Sequence, residues 1–148
     1  MLQKTVIITG AGSGIGRACA FEFASKGCRV VISGRNRENL DKVAADLHAK
    51  GAEVLVVAGD VSREEDCRAL INETVARFGG VDVLINNAGI SMRALLVEHD
   101  LEVIRKVMDT NFWGTVYCTK FALPYLLKSK GSVVGISSIA GKKGLPGR

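Results

Sequence analysis

The sequence predicts a single doubly wound parallel sheet with helices on both faces, and three observations carry that expectation. Five short apolar runs rich in β-branched residues alternate with segments of helical periodicity. The connections between them are short. Glycine and polar residues gather just after the apolar runs, at the carboxyl ends where such sheets bind ligands. The length of 148 residues fits one domain, and the 47% apolar content excludes a disordered chain. No Gly-X-Y period supports a collagen-like fibre.

Each element has its own signal. Thr5 to Thr9 reads as a buried strand. A glycine-rich turn follows, then Ile15, Ala18, Cys19 and Phe23 at helical spacing, with Gly27 to end the helix. Arg29 to Ser33 is a second strand. Asn36 is placed to cap a helix carrying Leu40, Val43, Ala44 and Leu47, closed by Gly51. Glu53 to Val57 is a third strand. Ser62 with Glu65 has the spacing of a capping box, and Glu64, Glu65 and Asp66 suit the positive end of a helix. Leu70, Ile71, Thr74, Val75 and Phe78 form its buried stripe, and Gly79-Gly80 stops it. Val81 to Ile85 is a fourth strand. A long helix from about Glu98 to Lys128 presents Leu101, Ile104, Met108, Asn111, Thr115, Cys118 and Ala122 near one face, with bends at Gly114 and Pro124. Ser132 to Ile136 is the fifth strand, and the expected strand order is 3-2-1-4-5.

Charge and cysteine usage exclude several classes. The net charge is +5, but the cations are scattered, with adjacent pairs only at Arg105-Lys106 and Lys142-Lys143. That pattern predicts a solvated basic surface rather than a nucleic-acid binder. Cys19, Cys28, Cys67 and Cys118 form no C-x-x-C and fall in apolar patterns, as buried thiols of a reducing compartment do. His48 and His99 are far apart in polar settings, so no metal site is expected. Met1-Leu2-Gln3-Lys4 runs directly into a strand, and no apolar run reaches the roughly 20 residues of a membrane span. The expectation is a soluble cytoplasmic protein without a membrane partner.

The loops after the strands carry the chemistry. Gly10, Gly12, Ser13, Gly14, Ile15 and Gly16 join the first strand to the first helix. Glycines let the backbone turn tightly and approach a ligand, and the helix N-terminus offers free N–H groups to phosphate. A P-loop is disfavoured because no Gly-Lys-Ser/Thr follows. The second strand ends in Ser33-Gly34-Arg35-Asn36-Arg37, with Ser33, Arg35 and Asn36 the candidate contacts. An NAD site places an acid there for the ribose 2′-hydroxyl, whereas Arg35 favours a 2′-phosphate and hence NADP(H). The missing acid also disfavours methyl transfer from S-adenosylmethionine. Asp60 either accepts from an adenine amino group or caps the next helix. Asn86-Asn87-Ala88-Gly89 either lines a cofactor or is an ordinary Asx turn.

Together these motifs resemble the short-chain dehydrogenase/reductase family over the whole chain. Thr9 to Gly16 matches its T-G-x-x-x-G-x-G turn, and Asn86 to Gly89 its N-N-A-G motif. Asp60-Val61 matches its adenine-contacting pair, and Asn87, Ala88 and Gly89 its cofactor-lining turn. Asn111 and Ser138 match two of its four catalytic positions. The resemblance implies a Rossmann-like domain and hydride exchange between NADP(H) and a small carbonyl or alcohol. It implies a substrate-oxygen role for Ser138 and a water-holding role for Asn111. It also implies a homo-dimer or homo-tetramer at full length, with Phe112, Trp113, Tyr117 and Phe121 expected in the intramolecular core rather than an interface.

One family feature is missing. Tyr117 and Tyr125 are the only tyrosines, each with a lysine three residues on rather than four, and both precede Ser138. They are read as packing and surface residues, so the Y-x-x-x-K segment is expected just past Arg148. On this reading residues 1–148 are a dinucleotide-binding domain incomplete at its C-terminus and inactive alone. A non-catalytic dinucleotide-binding module is the alternative.

Overall fold

The computed structural model describes residues 3–93 and 95–145. Met1, Leu2, Ala94, Pro146, Gly147 and Arg148 lie outside them. Strands β1 (Thr5–Thr9), β2 (Arg29–Gly34), β3 (Val54–Ala58), β4 (Val83–Asn86) and β5 (Ser132–Gly135) form one sheet in the order β3-β2-β1-β4-β5. All four pairings are parallel, and Ile8 of β1 faces Ile32 of β2 on one side and Ile85 of β4 on the other. This is the doubly wound order expected from the sequence.

Period-two alternation sends each strand's side chains to two cores. Val6, Ile8, Val30 and Ile32 pack with Ala20, Leu40, Val43 and Leu47. Those partners come from helices α1 (Gly14–Ser25) and α2 (Arg37–His48). Ile7, Val31 and Leu84 face the other way, onto Leu70 and Ile71 of α3 (Glu64–Phe78) and Cys118 and Ala122 of α5 (Gly114–Ser129). A short helix α4 (Leu101–Met108) leads toward α5. No helix among the described residues is long and apolar enough to cross a membrane.

Several local expectations hold. Asn36 caps α2, its Oδ1 accepting from the Asn39 N–H at 2.9 Å. Gly27, Gly51 and Gly79 follow their helices with positive φ. Cys67 and Cys118 are buried, and Cys19 and Cys28 half-buried, all four as free thiols.

Three expectations are corrected. The Ser62–Glu65 capping box does not form: Arg63 occupies the cap position, and the Ser62 hydroxyl donates to Asp60 Oδ1 at 2.9 Å instead. Ser62 stands one residue before the cap, where its hydroxyl serves the Asp60 turn rather than the helix end. In α1 the apolar stripe does not start at Ile15, which is 60% exposed, and Ala18 is exposed too. The buried residues are Gly16 and Ala20, because the first turn of α1 abuts backbone.

The long helix is not continuous in register. A π-helical turn, Asp109–Trp113, separates α4 from α5. Each residue added to a turn rotates the following face by about 100°. The buried positions are therefore Thr110, Gly114, Cys118, Ala122 and Leu126, while Leu101, Met108 and Asn111 are exposed. Phe112 and Trp113 also lie at the surface, although Trp113 stacks on Tyr117 at 5.7 Å. Tyr117 and Phe121 are the aromatics that pack against the core as expected. The helix runs on through Pro124 to Ser129.

Candidate functional site

A cleft of about 550 Å³ opens at the carboxyl ends of β1, β2, β3 and β4. Its floor is the turn after β1. Gly10 takes φ 66, and an added Cβ there would meet the Ala88 backbone at 2.9 Å. Ser13 stands at the α1 cap in an extended conformation and makes no side-chain capping bond. No acidic residue occupies the first turn of α1. The N–H groups of that turn have no partner within the helix, and the helix dipole adds partial positive charge. The floor is therefore built to receive an anion.

The turn is held from β4. Thr9, 1% exposed, accepts through Oγ1 from the N–H groups of Asn87 and Ala88, both at 3.0 Å. Asn87 returns the contact, its Nδ2 donating to the carbonyl of Thr9 at 2.9 Å and that of Gly10 at 3.3 Å. This reciprocal set of bonds locks the Asn87-Ala88-Gly89 turn over the glycine turn. It fixes which backbone groups face the cleft.

The side walls come from β2 and β3. The loops after them bring Arg35, Asn36, Asp60 and Val61 into the lining, together with Gly12, Ser13, Gly14, Ile15 and the Asn87 to Gly89 turn. Arg35 and Asp60 are the charged side chains of this lining. Arg35 is exposed and makes no salt bridge among the described residues. Among the described residues Asp60 is tied by one oxygen only, Oδ1 accepting from the N–H and hydroxyl of Ser62. It belongs to an Asx-type turn and is not the cap of α3. Two candidates lie beneath the cleft rather than in its lining: Gly16 and Ser33, both buried. Ser33 contributes its carbonyl, which accepts from Ala11 N–H at 3.0 Å.

A second cleft of about 490 Å³ adjoins the first across Asn87, Ala88 and Gly89. Asn111 and Ser138 both line it. The π turn presents Asn111, whose side-chain amide pairs with the backbone of Ile90: Oδ1 accepts from its N–H at 2.8 Å and Nδ2 donates to its carbonyl at 2.9 Å. The Thr115 hydroxyl donates to the Asn111 carbonyl at 3.1 Å. Ser138 caps a short 3-10 turn, Ile139–Gly141, accepting from Ala140 N–H at 3.2 Å. Its hydroxyl proton is committed to no acceptor among the described residues, so it can donate into the cleft.

Sequence reasoning missed several residues of the site. Asn39, Leu40, Ile90 and Thr110 line the first cleft. Thr9 was legible as a strand end and as the first residue of the matched glycine turn, but not as the side chain that holds the turn after β4. A polar side chain closing the buried apolar run Val6-Ile7-Ile8 is the signal that singles it out, since a buried hydroxyl needs partners.

The chain resembles known proteins along its length. Residues 4–148 match the family described as short chain dehydrogenase. An 11-beta-hydroxysteroid dehydrogenase A of Sesamum indicum is 47% identical over 137 residues, covering 91% of this chain and 39% of that protein. An 11-beta-hydroxysteroid dehydrogenase-like 3 of Arabidopsis thaliana is 44% identical over 146 residues, covering 97% of this chain and 47% of its own length. The chain thus spans less than half the length of these relatives. Among solved structures, an alcohol dehydrogenase of Thermococcus sibiricus complexed with 5-hydroxy-NADP superposes with a TM-score of 0.95 at 30% identity, over 98% of this chain and 62% of that one. A short-chain dehydrogenase/reductase of unknown function from Caenorhabditis elegans, with cofactor, gives 0.92 at 35% identity, over 99% and 57%.

Proposed function

This chain belongs to the short-chain dehydrogenase family, and on that premise we propose that residues 1–148 form a dinucleotide-binding domain for NADP(H). Its activity is the reduction of a small carbonyl substrate or the oxidation of the matching alcohol. The observation that supports this best is the first cleft itself. It joins an anion-receiving helix N-terminus, a free arginine and the Asp60-Val61 wall in one continuous surface.

The donor set fits the cofactor. Gly12, Ser13, Gly14 and Ile15 hold the pyrophosphate through backbone N–H groups. Arg35 pairs with the 2′-phosphate, with Asn36 beside it, and Asp60 accepts from the adenine amino group. Asn87 to Gly89 lead toward the second cleft, where the bound cofactor supplies hydride chemistry to the substrate. Ser138 donates its hydroxyl proton to the substrate oxygen and stabilises developing charge there. Asn111 holds the turn that orders water on the proton route.

Arg35→Ala is expected to weaken NADPH binding by roughly tenfold while leaving NADH little changed, as loss of one charge-assisted bond requires. Parallel fluorescence titrations with the two cofactors check this, and equal losses would reject the NADP assignment. In an active protein carrying this domain, Ser138→Ala lowers kcat for NADPH consumption about a hundredfold, the effect typical of losing one oxyanion donor. Activity at wild-type level would remove Ser138 from the site.

A second reading has its own support. Neither tyrosine lines the second cleft, and both pack against the α3–α5 core. The 148-residue chain alone is then a binder without turnover. NADPH binding with no oxidation across a panel of carbonyls would mark that state, and turnover would exclude it.

A further inference from the structure

Gly114 opens α5 with ordinary helical angles, φ −57 and ψ −42. No turn demands glycine there, and glycine weakens a helix relative to alanine. The demand comes from Val61. A Cβ on Gly114 would lie 2.7 Å from Val61 Cγ2, 2.9 Å from its Cβ and 3.1 Å from its carbonyl oxygen.

The same helix face holds Val61 a second way. One turn along, the Cys118 thiol donates to Cys67 Sγ at 3.5 Å, and the Cys67 thiol donates to the Val61 carbonyl at 3.3 Å. Its bond to Cys67 and its burial push the Cys118 thiol well above its usual range, so it remains a protonated donor. In the other direction, three residues back, Asn111 grips Ile90 through both amide atoms. Val61 and Ile90 both line the first cleft, whereas Asn111 lines the second.

We propose that Gly114 is a positioning residue: its bare face against Val61 couples the Asp60-Val61 wall to the Asn111 turn, so a ligand seated against that wall shifts the Asn111 side of the second cleft. This rests on the nucleotide reading of the first cleft. Close-packed contacts of this kind transmit displacement because neither side can yield without a void or a clash.

The probe is 2′,5′-ADP, which carries the adenosine and 2′-phosphate and lacks the nicotinamide half. In an NMR titration of the 148-residue chain, the amides of Gly12, Ser13 and Arg35 shift on binding. The amides of Gly114 and Cys118 and the Asn111 side-chain amide are expected to shift with them. Gly114→Ala is expected to weaken 2′,5′-ADP by roughly tenfold, as overpacking at this contact displaces the wall. Val61→Ala in that background removes the nearest methyl group, the contact at 2.7 Å, and recovers part of the loss, because the contacts to the Cβ at 2.9 Å and the carbonyl oxygen at 3.1 Å remain. Shifts confined to the first cleft, or a Gly114→Ala protein that folds and binds like wild type, would overturn the coupling alone. If Gly114→Ala does not fold, the wild-type titration decides the matter. No shift at any cleft residue overturns the nucleotide reading and this inference with it.

Discussion

Gly16→Ala is expected to weaken NADPH binding about a hundredfold and to destabilise the fold. The added Cβ would sit 2.5 Å from the Gly10 carbonyl oxygen, 2.9 Å from the Gly10 carbonyl carbon and 2.5 Å from Asn87 Nδ2. Two of these are backbone atoms of the turn itself, and the third is locked by bonds to the carbonyls of Thr9 and Gly10. None can rotate away as the tip of a flexible side chain can. Alanine gains about 1 kcal/mol in helix propensity over glycine. Overpacking costs about 1–3 kcal/mol, and here the loss of the Asn87 bonds adds to it. The clash wins, and stability falls by about 2 kcal/mol on that balance. Binding falls further, because the turn that moves is the floor of the cleft. A drop of about a hundredfold in NADPH affinity corresponds to about 2.7 kcal/mol. Urea denaturation and a fluorescence titration measure the two effects. Affinity within threefold of wild type would show that the turn tolerates the methyl group.

That Gly16 matters was legible in the sequence, but the reason was not. The glycine spacing marks a turn between strand and helix. It does not reveal that Gly16 lies under the cleft, against Asn87, rather than in the lining. The strands were the most legible elements. β1 has the expected limits, Thr5–Thr9, because a run of buried β-branched residues bounded by glycine leaves little freedom. Asn36 was readable as a cap because its side chain acts on a backbone group three residues away. Local rules succeed where the partner is local.

They fail where neighbouring side chains rearrange a loop or where the helical period breaks. Ser62 has capping-box spacing, yet Asp60 and Asp66 reorganise the loop, Asp66 Oδ2 accepting from the Asp60 N–H at 2.9 Å. The helical stripe drawn through Leu101, Met108 and Asn111 assumes a constant period. The π turn at Asp109–Trp113 breaks it and leaves Asn111 facing Ile90 instead of the core. Its side chain satisfies the two backbone groups that the loop after β4 leaves unpaired. That also explains why a poor helix former stands mid-helix. Such wide turns occur often at functional sites, and a polar residue inside an apolar stripe is the trace they leave in sequence.

Thr9→Val separates the two halves of the site while preserving the shape of the core. Valine matches threonine in volume and suits a buried strand, so no cavity forms. What disappears is one oxygen. It accepts from Asn87 N–H and Ala88 N–H, and it donates to the Ile85 carbonyl at 3.4 Å. Removing it strands two backbone donors, each worth about 1–3 kcal/mol when left unsatisfied. Because Asn87 and Ala88 are half-buried, water recovers part of that loss. The expected destabilisation is about 2–3 kcal/mol. The Asn87-Ala88-Gly89 turn is then held only through Asn87 Nδ2, and NADPH affinity falls roughly tenfold as the cleft loses its preset shape. Thr9→Ser separates hydrogen bonding from packing. It keeps the oxygen and drops one buried methyl group, at about 1 kcal/mol. Serine should therefore bind NADPH nearly as wild type does while valine does not. If the two variants lose equal affinity, the methyl group rather than the hydroxyl holds the β4 turn. The shared wall of the two clefts would then be set by packing and not by this hydrogen-bond pair.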